Sequence, residues 1–218
     1  MNGKENLQPA VVFDCFAEVN KVPRPSKREE KMIDFLKAFG ESLGLETLVD
    51  AVGNVLIKKP ATPGCEQMKT VVLQSHFDMV CEKNADVEFD FDNDAIQTYV
   101  DGDWMKARGT TLGADDGIGV AMQMAILKSS DIKHGPIECL FTRDEETGLT
   151  GAMGLQPGFM TGDYLINLDS EDEGQMFVSC AGGVRTTARF KFEEESVPEG
   201  YFCFKVGVKG LTGGHSGD

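Results

Sequence analysis

Three apolar runs in this chain each lead into an acid or a histidine. Val71-Val72-Leu73-Gln74-Ser75 precedes His76-Phe77-Asp78, Ile137-Glu138-Cys139-Leu140-Phe141 precedes Asp144-Glu145-Glu146, and Tyr164-Leu165-Ile166-Asn167-Leu168 precedes Asp169. Short continuous apolar runs suit strands covered on both faces of a sheet. In open α/β sheets, ligands gather outside the carboxyl ends of such strands. A further segment, Gly113-Ala114-Asp115-Asp116-Gly117, opens an apolar helix. The chain is thereby restricted to α/β layouts that bring these acids to one sheet edge.

The intervening segments fit that layout. Pro9 opens a helix to about Val19, because proline is pre-set for a first helical turn. Pro23-Arg24-Pro25 breaks the chain, and Ser26 with Glu29 reads as a capping box for a helix carrying Met32, Ile33, Leu36 and Phe39. Leu45–Val49 and Val55–Lys58 flank Gly53-Asn54 as a strand pair, and residues 60–69 are loop. The polar stretch from Glu82 to Gly109 has room for two strands. Gly117 to Leu127 is apolar nearly all round, hence a buried helix. Strands alternating with helices indicate an α/β sandwich.

Beyond Gly182-Gly183 the pattern shifts. Arg185–Phe192 and Phe202–Val208 alternate as half-exposed strands do, joined by an acidic loop. Residues 1–183 are therefore expected to form one domain and residues 184–218 the first strands of another. Two strands do not make a stable domain, so the chain reads as part of a longer protein.

A net charge of −15 over 218 residues argues against nucleic acid and anionic membrane surfaces, both of which require a basic footprint. The six cysteines are dispersed, without the spacing of a zinc ribbon or the density of a disulfide scaffold. No signal peptide or membrane span is readable. A reducing cytoplasm is the expected compartment.

Residues two apart on a strand point the same way, so Asp78 can orient His76 and raise its basicity toward a metal. The pair would serve equally as a structural histidine–acid contact. One aspartate of Asp115-Asp116 suffices to cap a helix; the other is surplus and suits a carboxylate shared by two metals. Adjacent Glu145 and Glu146 diverge, so one can bind metal while its neighbour holds an attacking water as general base. An exposed acidic loop is the competing reading for that pair. Asp169 adds a further acid to the edge. Hard oxygen donors with a minority of imidazole suit zinc, manganese or cobalt. Asp90, Asp92 and Asp94 imitate a calcium loop, but Ala95 stands where its turn needs glycine. His134 receives no role.

Val71–Asn84, Lys106–Val120, Arg143–Leu155, Leu165–Gly174 and Gly207–Gly217 closely resemble segments of the bacterial aminoacyl-histidine (cytosol nonspecific, Xaa-His) dipeptidases. These are relatives of carnosinases and of the wider dizinc aminoacylase and carboxypeptidase family. The resemblance runs from about Pro9 to the last residue. It implies a three-layer zinc-peptidase-like catalytic domain, a mixed sheet between helices, followed by the start of an α+β lid. It implies that His76 and Asp169 bind one divalent cation, Asp115 bridges two, and Glu146 binds the second. Glu145 would be the general base and Asp78 the support for His76. His215 would reach from the lid to the scissile carbonyl. Members are longer than this chain, and a histidine near their carboxyl terminus completes the second metal site, a place that His76, His134 and His215 do not fill.

The expected activity is hydrolysis of dipeptides, Xaa-His and broader, by water held between two cations, with zinc favoured over manganese or cobalt. A homodimer of the longer protein is expected as well. Two alternatives stay open: a related N-acyl amino acid deacylase or aminopeptidase, and an inactive fragment lacking the last histidine.

Overall fold

A computed structural model describes residues 7–170, 172, 174–180, 182 and 186–208. Two compact units divide after Gly174. The first unit holds every helix and strand among the described residues.

Helix α1 (Ala10–Val19) starts where Pro9 holds φ at −72°, with the Pro9 carbonyl accepting from Val12 and Phe13. It buries Cys15, Phe16 and Val19. Helix α2 (Glu30–Ser42) buries Met32 and Leu36 at the helical spacing that the sequence predicts. The predicted capping box is absent. No side chain caps α2; Ser26 Oγ instead donates to Asp78 Oδ2 at 2.7 Å, and Glu29 accepts from the Lys27 N–H and from Arg143. A carboxylate across the fold competes successfully with the local backbone for the serine.

Strands β1 (Glu46–Val49), β2 (Val55–Lys59) and β3 (Val71–His76) follow, then a hairpin of β4 (Thr98–Asp101) and β5 (Trp104–Ala107). The hairpin turns at Gly102-Asp103, where Gly102 takes φ +61°, a conformation that favours glycine. Helix α3 (Ala114–Lys128), strand β6 (Ile137–Thr142), the short helix α4 (Thr150–Gly154) and strand β7 (Tyr164–Asn167) complete the unit.

The main sheet has the order β1-β2-β6-β3-β7 and is mixed. β6, β3 and β7 are parallel, whereas β1 pairs antiparallel with β2 and β2 with β6. The three parallel strands therefore end on one edge, with His76 opposite Thr142.

On one sheet face, Val55, Ile57, Leu73, Cys139 and Phe141 pack with Phe16, Met32, Leu36, Val120 and Met124 from the three long helices. Burying one large side chain of this kind contributes roughly 1.5–3 kcal/mol. The opposite face has a thinner cover, where Leu56, Val72 and Leu140 meet Leu155, Phe159 and Met160. The fold is the expected α/β arrangement of a mixed sheet and packed helices.

The described residues of the second unit contain no helix or strand, and Phe190, Phe192, Phe202 and Phe204 are exposed. The strands expected over 185–192 and 202–208 are thus not formed at the described positions. Two alternating segments without a further element to cover their apolar side lack the burial that stabilises a sheet. Gly183, the expected domain boundary, lies outside the described residues, as do Arg185 and His215.

Candidate metal centre

β3 delivers His76 to the sheet edge with its imidazole 1% exposed. Asp78, two residues on, is fully buried and places Oδ1 3.3 Å from His76 Nδ1. Three further donors converge on that carboxylate: the Glu145 N–H to Oδ1 at 3.0 Å, the Glu146 N–H to Oδ2 at 3.3 Å, and the Ser26 hydroxyl. One side chain thus orients the histidine and fastens the turn that carries both glutamates.

At the entry to α3 the two aspartates separate. The Asp115–Asp116 peptide is cis. Asp116 Oδ1 accepts from the Gly119 N–H at 3.1 Å, the usual work of a capping aspartate. Its Oδ2 accepts from the His76 N–H at 3.3 Å. Asp115 Oδ1 lies 2.9 Å from His76 Nε2.

After β6, Asp144 takes φ +47° and is buried, its carboxylate accepting from the hydroxyls of Thr147 and Thr150. That anchor curls the chain so that Glu145 and Glu146 sit above the strand end. Past β7, Asp169 Oδ2 comes to 3.9 Å from His76 Nε2. One ligand atom from each of His76, Asp115 and Glu146 lies within 4.8 Å of the other two.

Two donors bound to one zinc at roughly 2.0–2.2 Å each can stand no more than about 4.4 Å apart. The His76–Asp115 and His76–Asp169 distances meet that limit. The chemistry of the donor set fits as well. Nδ1 of His76 is buried without a well-formed hydrogen bond, facing Asp78, while Nε2 faces Asp115 and Asp169. A carboxylate behind the imidazole and carboxylates in front of it form the usual surroundings of a metal-binding histidine.

The electrostatics describe a place short of positive charge. Burial opposes protonation of His76, but the carboxylates of Asp115 and Asp78, with Asp169 nearby, outweigh it and push the imidazole up to about 11. Burial, reinforced by Asp169, pushes Asp116 up to about 8. Asp169 itself is raised to about 6 by burial and by Asp115 and Glu145, against the pull of His76. Glu146 is raised by burial and by Asp115. Burial would raise Asp78 too, yet the contacts from His76, the Glu145 N–H and Ser26 hold it below its usual value.

Beside this cluster lies a cleft of about 240 Å³ with Glu145, Asp169, Gln74 and Asn167 on its wall. A larger cavity, about 330 Å³, sits at the amino ends of β3 and β6 against Thr70 and Ile137, away from the acids. His134 is also at that far end, hydrogen-bonded to Thr62 and to the Gly135 carbonyl. Asp90, Asp92 and Asp94 bond within their own turn and to Arg28.

The sequence predicts His76, Asp78, Asp115, Glu145, Glu146, Asp169 and His215 as site residues; the first six come to this edge, and His215 lies outside the described residues. Arg24 and Ser26 also bond to Asp78, although in the sequence they appear only as a break and a cap. The available signal was the residue before proline, which is biased to extended backbone rather than helix; Pro25 forms a parallel bridge to Met79, placing Arg24 and Ser26 beside Asp78.

Comparison with known proteins agrees with the geometry. The model of Peptidase family M20/M25/M40 matches residues 72–207. The chain is 48% identical over 217 residues to the cytosol non-specific dipeptidase of Escherichia coli K12, covering 100% of this chain and 45% of that protein. It is 30% identical over 182 residues to YqjE of Bacillus subtilis, across 78% of this chain and 46% of the relative. Among solved structures, the aminoacylhistidine dipeptidase of Vibrio alginolyticus superposes with a TM-score of 0.77 at 51% identity, over 79% of this chain and 35% of that one. The aminopeptidase PepT of Bacillus cereus gives a TM-score of 0.64 at 27% identity, over 78% and 44% of the two chains. The chain spans about half the length of the curated relatives it matches.

Proposed function

Starting from a chain that belongs to Peptidase family M20/M25/M40, we propose that it serves a metal-dependent dipeptidase acting on Xaa-His and broader dipeptides. The observation that carries this reading is the convergence of His76, Asp115, Glu146 and Asp169, brought from four separate segments to one sheet edge. His76 and Asp169 would hold one divalent cation, Asp115 would be shared, and Glu146 would hold the second. The family carries divalent metal, and zinc is the proposed identity because an imidazole among carboxylates suits it. Bound there, the cations supply Lewis-acid polarisation of the peptide carbonyl and acidify water.

The chain's own groups carry the remaining work. Glu145 borders the cleft and is anchored through its N–H to Asp78. Its carboxylate accepts a proton from the attacking water and passes it to the leaving amine. Asp78 holds the His76 ring in its ligating orientation. His215, outside the described residues, is assigned to the developing oxyanion, where loss of one donor commonly costs about 10²–10³ in rate. A cytoplasmic location and a homodimer belong to the same proposal. The described part contains no helix long and apolar enough to cross a membrane.

The test is metal analysis combined with a dipeptidase assay on the intact protein and on Glu145→Ala. Turnover should vanish in the variant while bound zinc is retained. Activity within a few-fold of the unaltered protein would remove Glu145 as the base. Faster turnover of N-acyl amino acids than of dipeptides would reassign the substrate.

A further inference from the structure

Among the described residues, Arg24 is the largest fully buried side chain, 1% exposed. Arginine is almost never so buried unless it is paired, yet no carboxylate bonds to this guanidinium among its described hydrogen bonds. Nη1 donates to the carbonyls of Phe77 at 3.3 Å and Asp78 at 3.2 Å. Nη2 donates to the Gly113 carbonyl at 2.6 Å and more distantly to Asn20 Oδ1 at 3.5 Å. The Arg24 carbonyl in turn accepts from the Met79 N–H at 3.1 Å.

Those carbonyls belong to two different segments. Phe77 and Asp78 continue the strand that ends in His76, and Gly113 begins the turn that presents Asp115. The glycines of that turn make room for the guanidinium. A β-carbon at position 113 would stand 2.5 Å from Nη2, and one at 117 would stand 2.6 Å from it.

A fixed positive charge close to a cation site disfavours metal by simple repulsion. Burial draws the Arg24 side chain down to about 10, which leaves it charged at neutral pH. Filling space would be better served by an apolar residue, since a buried charge carries a desolvation cost of several kcal/mol. What the planar fork supplies, and a lysine ammonium does not, is fixed angles to several acceptors at once.

We propose that Arg24 is a positioning residue: its guanidinium sets the separation between the His76–Asp78 segment and the Asp115 turn, so that both can close on one cation. The inference rests on the metal reading above and deepens it.

The experiment measures zinc affinity by competition with a chromophoric chelator for the intact protein, Arg24→Lys and Gly117→Ala. Far-UV circular dichroism and thermal midpoint of the metal-free forms are recorded alongside. Arg24→Lys keeps the charge and loses the fork; Gly117→Ala keeps arginine and displaces it. Both should remain folded and bind zinc about 10–100-fold more weakly, the range for residues that orient metal ligands. Cobalt substituted for zinc should show an altered ligand-field absorption in both variants. A merely structural role would lower the thermal midpoint and leave the affinity of the folded protein unchanged. If either folded variant binds zinc within twofold of the unaltered protein, the proposal is overturned and the metal reading stands. Absence of zinc binding by the unaltered protein overturns both.

Discussion

Asp78 faces His76 from two residues along the same chain, Oδ1 to Nδ1 at 3.3 Å, with neither side chain more than 1% exposed. The carboxylate's remaining capacity is taken by the Glu145 and Glu146 N–H groups and by Ser26. One buried acid therefore couples the orientation of a ligand histidine to the position of the glutamate turn, although the two lie far apart in sequence.

Asp78→Asn preserves the shape and removes the charge. Zinc affinity of the intact protein should fall about 10–100-fold, the usual effect of removing a partner behind a ligating histidine, with dipeptidase activity falling in parallel at limiting metal. Titration against a metal indicator checks this, and an affinity within twofold would show that the pair is structural only. Ser26→Ala removes a single donor to the same carboxylate and should cost about 1.5–3 kcal/mol in stability, as measured by urea unfolding.

Stability against pH follows from the raised groups. His76 moves from 6.5 to about 11, so in metal-free protein its contribution is complete below pH 6.5 and fades as pH climbs toward 11. Asp116 moves from 3.8 to about 8, so its contribution fades between those values. Both decline between pH 6.5 and 8. Metal binding requires the ligands deprotonated and releases protons, so zinc affinity rises over the same window. The rise in thermal midpoint on adding zinc should therefore be larger at pH 8 than at pH 6.5. A zinc effect that is flat or shrinking over that range would contradict the raised imidazole.

Much of this arrangement was legible before the structure. Apolar runs marked β3, β6 and β7, and the acids after them located the edge. Helix capping alone anticipates one cap and one surplus acid at Asp115-Asp116, and only the family resemblance says that Asp115 is the one turned to metal. Ser26 carries a capping pattern that is local, whereas its actual partner, Asp78, lies 52 residues away. Arg24 was invisible for a similar reason: its acceptors are backbone carbonyls, which leave no trace in side-chain spacing. The alternation after Gly182 suggested strands, but alternation records a preference and cannot supply the partner strand that realises it.

Arg143 joins the glutamate turn to α2 by an ion pair with Glu29, whose side chain is fully buried. Burial raises the Glu29 carboxyl, opposed by the Lys27 N–H and by Arg143. Removing only the cation leaves a buried acid uncompensated, a change that typically costs about 3–5 kcal/mol. Arg143→Met should therefore lower the unfolding free energy by about that amount, while Arg143→Met combined with Glu29→Gln should recover most of it. Because burial already raises Glu29 and losing Arg143 raises it further, the single variant's deficit should narrow as pH falls toward the ordinary carboxylate value from above. A double variant no more stable than the single one would place the cost in lost Arg143 contacts, such as its hydrogen bond to the Val52 carbonyl at 3.2 Å, rather than in a stranded charge.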